Sequence, residues 1–158
     1  MSEPTCVHDT FVLEYSYPNP SERVFAAFAD TARKQRWYAE SKVHDIETFK
    51  MEFRVGGAEV ARYRLSEDTP FPGVILASES TYQDIVPNQR IVLVQTMTMG
   101  DRRISSALIT LEFLVTGQGC DLVFTHQAAF FEGADGPEMR KDGWRQLFTR
   151  LGDSLAVA

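Results

Sequence analysis

The chain has 158 residues, 44% of them apolar and 24% charged, which is typical of one soluble globular domain and unlike a disordered chain. Its formal charge of −6 disfavours nucleic acids and anionic membrane surfaces as partners, because their phosphate groups would be repelled.

The first predicted element is a strand over Thr10–Tyr17, where aromatic and β-branched residues are frequent and Pro18 ends the run. We expect residues 1–9 to form a mobile segment and residues 10–157 to form a single domain.

Two short helices are predicted next. Asn19 has the character of an N-cap, with Pro20 at the first helical position and Glu22 three residues after the cap. Asp30 is a second candidate cap, for a helix that ends near Trp37.

Six more strands are predicted, because turn residues divide the segment 42–130 into short runs without helical periodicity. With no helix between them, neighbouring strands are expected to be antiparallel. The predicted strands are Lys42–Arg54, Glu59–Leu65, Val74–Val86, Arg90–Met99, Ile104–Val115 and Cys120–Phe130.

The last predicted element is a long helix over Pro137–Ala156, with apolar residues at helical spacings of three and four. These residues are Trp144, Leu147, Phe148, Leu151 and Leu155. Such a stripe must be buried against the sheet. Gly143 interrupts the helix and is expected to allow close approach to the sheet. The predicted fold is therefore α+β: a curved seven-stranded antiparallel sheet wrapped around a C-terminal helix, with an internal cavity between them.

Alternation along two strands predicts which side chains face the helix. One face of the sixth predicted strand carries Ala107, Ile109, Leu111, Phe113 and Val115. On the last strand, Leu122, Phe124 and His126 share a face, which places His126 on the more apolar side.

Several motifs resemble one known family when they are taken in order along the chain. They are Asn19-Pro20-Ser21-Glu22-Arg23-Val24-Phe25, Trp37, Arg54-Val55-Gly56-Gly57, Val86-Pro87-Asn88-Gln89-Arg90-Ile91, Leu122-Val123-Phe124-Thr125-His126, and Gly143-Trp144 with Leu147 and Leu151. The chain resembles homologues of the activator of heat-shock-protein-90 ATPase, a branch of the START-like helix-grip superfamily that includes polyketide cyclases. The resemblance implies a bent sheet that grips the C-terminal helix, with two short helices closing the groove.

The candidate ligand-binding residues are large aromatic side chains and one imidazole on the faces that are predicted to point inward. They are Trp37, Tyr63, Tyr82, Phe113, Phe124, His126, Trp144 and Phe148. An imidazole can hydrogen-bond a ligand or transfer a proton near neutral pH, but it can equally be a satisfied core residue. The tyrosine hydroxyls could contact a ligand, or the rings could serve packing alone.

No metal ion or other cofactor is expected, because the histidines and cysteines lack ligand spacing, and no catalytic residue is assigned. The basic runs Arg33-Lys34-Gln35-Arg36 and Arg102-Arg103 are interpreted as solvated faces. Cys6 and Cys120 are too few for a disulfide framework, and no signal peptide or membrane span is recognised, so a cytoplasmic location is expected.

We rank three functions. The first is a module that binds a small apolar or amphipathic molecule between sheet and helix. The second is a cyclase or dehydratase that uses the same cavity with His126 as general base, an idea that rests on the superfamily resemblance. The third is a co-chaperone that stimulates an ATPase, which is less favoured because the chain lacks the additional N-terminal domain of the eukaryotic co-chaperones. Unpaired strand edges could also join two copies in a homodimer.

Overall fold

Seven antiparallel strands form one sheet in the order β1-β7-β6-β5-β4-β3-β2. The computed structural model describes residues 3–157. Its strands are β1 (Val7–Tyr17), β2 (His44–Met51), β3 (Ala58–Leu65), β4 (Ile75–Val86), β5 (Arg90–Met99), β6 (Arg102–Val115) and β7 (Cys120–Phe130). The helices are α1 (Ser21–Ala29), α2 (Thr31–Lys34), a π-helical segment (Gln35–Ala39) and α3 (Pro137–Ala156). The predicted α+β fold and its element order are confirmed.

The first strand is longer than predicted. β1 begins at Val7, which lies opposite Phe130 at the end of β7. Residues 7–9, which were assigned to a mobile segment, therefore belong to the sheet, and residues 1 and 2 lie outside the described part of the chain.

Register irregularities interrupt three of the strand pairs. They lie between Ile46 and Thr48 on β2, at Tyr82/Asp84 on β4, and at Met97/Thr98 on β5. Bulges bend a strand and increase its twist, so these positions help the sheet to curve around α3. β2 is also shorter than the predicted Lys42–Arg54 strand.

The two predicted caps have different outcomes. The Asp30 carboxylate accepts a hydrogen bond from the backbone N–H of Arg33 at 2.9 Å, so its capping role is confirmed. The predicted cap at Asn19 is wrong, because Pro20 occupies the N-cap position of α1. The Asn19 amide instead donates to the carbonyl of Leu155 at 3.2 Å and satisfies an acceptor in the last turn of α3.

α3 packs its predicted apolar stripe on the half of the sheet that contains β1 and β7. The ring centroid of Phe148 lies 4.9 Å from that of Phe124 and 5.4 Å from that of Tyr15. The Tyr17 hydroxyl donates to the carbonyl of Phe148 at 2.9 Å. No helix within residues 3–157 combines the length and hydropathy needed to cross a membrane.

The alternation on β6 is confirmed as far as Phe113, since Ala107, Ile109, Leu111 and Phe113 are buried. Val115 is 80% exposed, because β6 continues beyond the edge of the core there. The prediction for Gly143 is wrong: a Cβ atom at this position would meet nothing within 4 Å.

Candidate functional site

A solvent-open cleft of about 300 Å³ lies between the N-terminal half of α3 and the strands β3, β4 and β5. α3 covers the β1 and β7 side of the sheet, so this part of the concave face has no helix packed directly on it. The walls of the cleft are mainly apolar. They include Val43, Leu76, Met97, Met139, Trp144 and Leu147.

Four polar side chains form the inner end of the cleft, namely Tyr38, Tyr63, Ser78 and Gln95. The Gln95 amide donates to the Tyr38 hydroxyl at 3.4 Å and to the Ser80 hydroxyl at 3.2 Å. The Tyr63 side chain is only 8% exposed. Its hydroxyl has no hydrogen-bond partner among the described residues. A buried polar group without a partner is costly, so this hydroxyl would be stabilised by a hydrogen-bond acceptor that reached the inner end of the cleft.

Burial raises the pKa of the Tyr63 phenol above its ordinary value, and burial followed by the charge of Glu59 raises that of Tyr38. Both phenols therefore stay protonated at neutral pH. A protonated phenol can donate one hydrogen bond and accept others. The Tyr63 hydroxyl can therefore donate to a neutral acceptor such as a carbonyl oxygen.

The π-helical segment brings Tyr38 to the cleft. In this segment Trp37, Tyr38 and Ala39 are all buried, and the backbone N–H of Glu40 donates to the carbonyl of Gln35 at 3.0 Å. The indole N–H of Trp37 donates to the carbonyl of Ala27 at 2.9 Å, which fixes the segment on α1. π-Helical turns are rare in proteins, and those that occur are often found at functional sites. A helix was predicted here, but its π-helical geometry was not.

Arg140 fixes the start of α3 to the sheet and was not predicted. Its guanidinium donates to both carboxylate oxygens of Asp135, at 2.7 and 2.8 Å, and to the Ser105 hydroxyl at 3.0 Å. It also lies over the Phe130 ring, 5.0 Å from the centroid. These contacts engage most of its donors, so Arg140 supports the cleft wall. Arg140 lies four residues before Trp144, so helical spacing places it on the apolar stripe, and this spacing could have predicted its burial.

A buried ion pair lies behind the inner end of the cleft. The Lys34 ammonium is 2.5 Å from the Glu59 carboxylate, which also accepts from the Tyr82 hydroxyl at 2.6 Å. Both charged side chains line a void of only about 10 Å³, and Tyr38, Gln95 and Trp144 border this void as well as the cleft. This pair was not predicted, although strand alternation from Tyr63 places Glu59 on the same inner face.

His126 lies in the packed core. Its side chain is 0% exposed, and its ring stacks on Phe11 with centroids 4.6 Å apart. Neither ring nitrogen has a hydrogen-bond partner among residues 3–157. Burial, assisted by the charge of Arg140, lowers the pKa of His126 to about 4. The imidazole is therefore neutral at pH 7, and it does not line the cleft. The geometry required of a general base, a nearby polar group that is open to the cavity, is not met within the described chain.

The structure separates the eight predicted site residues into three groups. Tyr63 and Trp144 line the cleft, and Trp37 borders the small void. The others are packed in the core: Tyr82, Phe113, Phe124, His126 and Phe148. An internal cavity was expected around these rings, but aromatic contacts fill this region. Phe113, for example, packs edge-on against Phe25 and Phe28 at 5.3 and 5.5 Å. The space between the sheet and α3 that remains open is the cleft.

Metal binding has no geometric support within residues 3–157, where no three His, Cys, Asp or Glu side chains are grouped closely enough to hold an ion. The described cysteines Cys6 and Cys120 are both free thiols. Burial raises the pKa of the Cys120 thiol, which disfavours the reactive thiolate.

Comparison with known proteins identifies the fold family. The chain is similar in structure to an uncharacterised protein from Rhizobium leguminosarum, with a TM-score of 0.88, 31% identity and 95% of each chain covered. It is also similar to a protein from Rhizobium loti, with a TM-score of 0.83, 36% identity and coverage of 96% of this chain and 99% of that one.

An AHSA1-like protein from Aeromonas hydrophila shares the fold, with a TM-score of 0.68, 15% identity and coverage of 93% of this chain and 92% of that one. No curated protein matches the chain significantly. The model of the Activator of Hsp90 ATPase homolog 1-like protein family matches residues 18–156. With a family match over most of its length and the helix-grip arrangement of sheet and α3, the chain belongs to the Activator of Hsp90 ATPase homolog 1-like family.

Proposed function

We propose that this protein binds a small amphipathic molecule in the cleft between α3 and the strands β3 to β5. The observation that carries the proposal is the Tyr63 hydroxyl, which is buried at the cleft and lacks a partner among the described residues. Apolar walls with a few convergent polar groups are the usual composition of a small-molecule site. A hydrogen-bond acceptor on the ligand would pair with this hydroxyl, which has no acceptor among the described residues.

The dimensions and chemistry of the cleft restrict the ligand. A volume of about 300 Å³ is at the lower end of the range for small-molecule sites and corresponds to roughly ten water volumes. The apolar walls favour a hydrocarbon or aromatic body, and the inner end favours a neutral oxygen acceptor. A charged group there would lose its hydration. Asp135 already neutralises Arg140, and the other arginine in the lining, Arg150, is only half-buried.

The first test uses a matched pair of probes, 2-acetylnaphthalene and 2-ethylnaphthalene, which differ mainly in the carbonyl oxygen. Binding is followed by amide chemical shifts of the isotope-labelled protein. We expect saturable shifts around Tyr63, Gln95 and Trp144, with the ketone binding more tightly. Tyr63→Phe should weaken ketone binding about fivefold, the equivalent of one neutral hydrogen bond of about 1 kcal/mol, and leave the hydrocarbon unchanged.

The second test blocks the cleft. A side chain at position 143 enters open space beside the cleft, so Gly143→Leu should abolish binding of both probes while the protein remains folded. Arg145→Leu places the same side chain on an exposed part of α3 that does not line the cleft and serves as the matched control. The proposal fails if neither probe gives saturable shifts at the cleft, or if Gly143→Leu and the control bind both probes equally well.

A further inference from the structure

Four arginine side chains converge on a second concave surface, which lies at the C-terminal end of α3. We call it the arginine depression. Its lining includes Arg23, Arg33, Arg36 and Arg150, together with Trp37 and Asp153, and it has a volume of about 590 Å³. Arg150 borders both the depression and the cleft, whereas Arg23, Arg33 and Arg36 border the depression alone.

The local fold creates this surface from the basic run Arg33-Lys34-Gln35-Arg36. Lys34 turns inward to Glu59, whereas Arg33 and Arg36 remain exposed. The guanidinium of Arg150 donates to the backbone carbonyl of Arg36 at 3.4 Å, which joins α3 to the π-helical segment. The interpretation of this run as one solvated face is therefore wrong: Lys34 is buried in an ion pair, and Arg33 and Arg36 line the depression.

The depression has more positive charge than its own structure requires. Among residues 3–157, none of its four guanidinium groups forms an ion pair. Asp153 is the one carboxylate among the lining side chains, which leaves three net positive charges. The C-terminus of α3 contributes roughly half a negative charge from the helix dipole. Stabilisation of that helix end therefore requires only a small part of the positive charge in the depression. The excess is local, because the net charge of the whole chain is −6.

We propose that the arginine depression binds a soluble dianion, a phosphate monoester of a small molecule. Arginine presents several N–H donors in a planar fork that matches phosphate oxygens, and such charge-assisted bonds are strong. The residual charge of about +2.5 is sufficient to neutralise a phosphate monoester, which carries −1.5 to −2 at pH 7. A concave site of this size suits a small molecule. The negative charge of the rest of the protein disfavours polyanions and anionic membranes, which would contact a larger area.

The test measures binding of phenyl phosphate and inorganic phosphate to the full chain by amide chemical shifts and calorimetry. We expect saturable shifts at residues 33–37 and 150–154. Arg33→Gln/Arg36→Gln should weaken binding at least tenfold. Arg102→Gln/Arg103→Gln removes the same charge from the other basic run and should change affinity less than twofold. Affinity should also fall below about pH 6, where the monoester becomes a monoanion.

Several results would overturn the proposal. One is the absence of saturable binding of either phosphate, and another is an equal loss in both double variants, which would indicate only a general charge effect. Binding to vesicles that contain phosphatidylserine, without binding of phenyl phosphate, would also reject a soluble ligand. Binding of 2-acetylnaphthalene should be unchanged in Arg33→Gln/Arg36→Gln, so failure of this proposal is distinguishable from failure of the proposed cleft function.

Discussion

The buried His126 imidazole should make the free energy of unfolding fall as the pH is lowered below 7. Its pKa is about 4 in the folded protein, against an ordinary value of 6.5. Between these values the unfolded chain binds a proton that the folded protein excludes. Stability is therefore fully present above pH 6.5 and is lost as the pH falls towards 4. At about 1.4 kcal/mol per pKa unit, the complete loss is about 3 kcal/mol, of which about 2 kcal/mol has occurred at pH 5.

The groups around His126 support this direction. Phe11, Phe124 and Phe130 surround the ring with apolar surface, and their centroids lie 4.6 to 6.2 Å from it. The Arg140 guanidinium further lowers the pKa of His126, whereas the Asp135 carboxylate opposes this shift. Because Arg140 and Asp135 pair with each other, their effects largely cancel and burial dominates.

The assay is urea unfolding at pH 7 and pH 5, followed by tryptophan fluorescence, for the parent and His126→Phe. The parent should lose about 2 kcal/mol more than the variant between the two pH values. His126→Leu covers the case in which the larger ring disturbs packing. His8→Gln removes an exposed imidazole and should retain the pH dependence of the parent. The reasoning is refuted if the parent and both His126 variants lose the same free energy between pH 7 and pH 5.

Three further predictions concern the same measurement of unfolding free energy. Lys34→Met should destabilise the protein by about 3 to 5 kcal/mol, because it leaves the Glu59 carboxylate buried without its counter-charge. Lys34→Met/Glu59→Leu should recover part of this loss. A loss below 1 kcal/mol in Lys34→Met would contradict the prediction. Gly143→Ala should stabilise by about 1 kcal/mol, since alanine favours the helix and its Cβ meets open space; destabilisation would indicate an unrecognised contact. Tyr17→Phe should cost about 1 kcal/mol through loss of the bond to the Phe148 carbonyl, and no change would mean that water replaces it.

The fold was predictable because its signals are local. Turn residues such as Pro87-Asn88 and Gly100-Asp101 lie between the observed strands, and the spacing of Trp144, Phe148 and Leu151 identified the buried stripe of α3. Asn19 was misread for an instructive reason. Its neighbours fit a capping pattern, but its side chain donates a hydrogen bond to the carbonyl of Leu155, a residue far away in sequence.

The site was less predictable, because it depends on how side chains from distant segments fill space. Strand alternation placed His126 correctly in the interior, but whether an interior ring faces a cavity or another ring depends on its neighbours, here Phe11. The run at residues 33–36 gave no sign that Lys34 would turn to Glu59, since that contact joins α2 to β3. Tyr63 was identified from its strand face, and the absence of a partner for its hydroxyl became visible only in three dimensions.

The pairing of β1 with β7 has a consequence for biosynthesis. Residues 7–17 lie beside residues 120–130, so the first strand to leave the ribosome must wait for the last one before its edge is covered. Residues 17 and 19 then need residues 148 and 155 of the terminal helix to complete their hydrogen bonds. Contacts over such long sequence separations slow folding. The nascent chain therefore carries β1 as an uncovered, aggregation-prone strand until β7 has been synthesised, and the domain closes only after residues 148 and 155 have emerged.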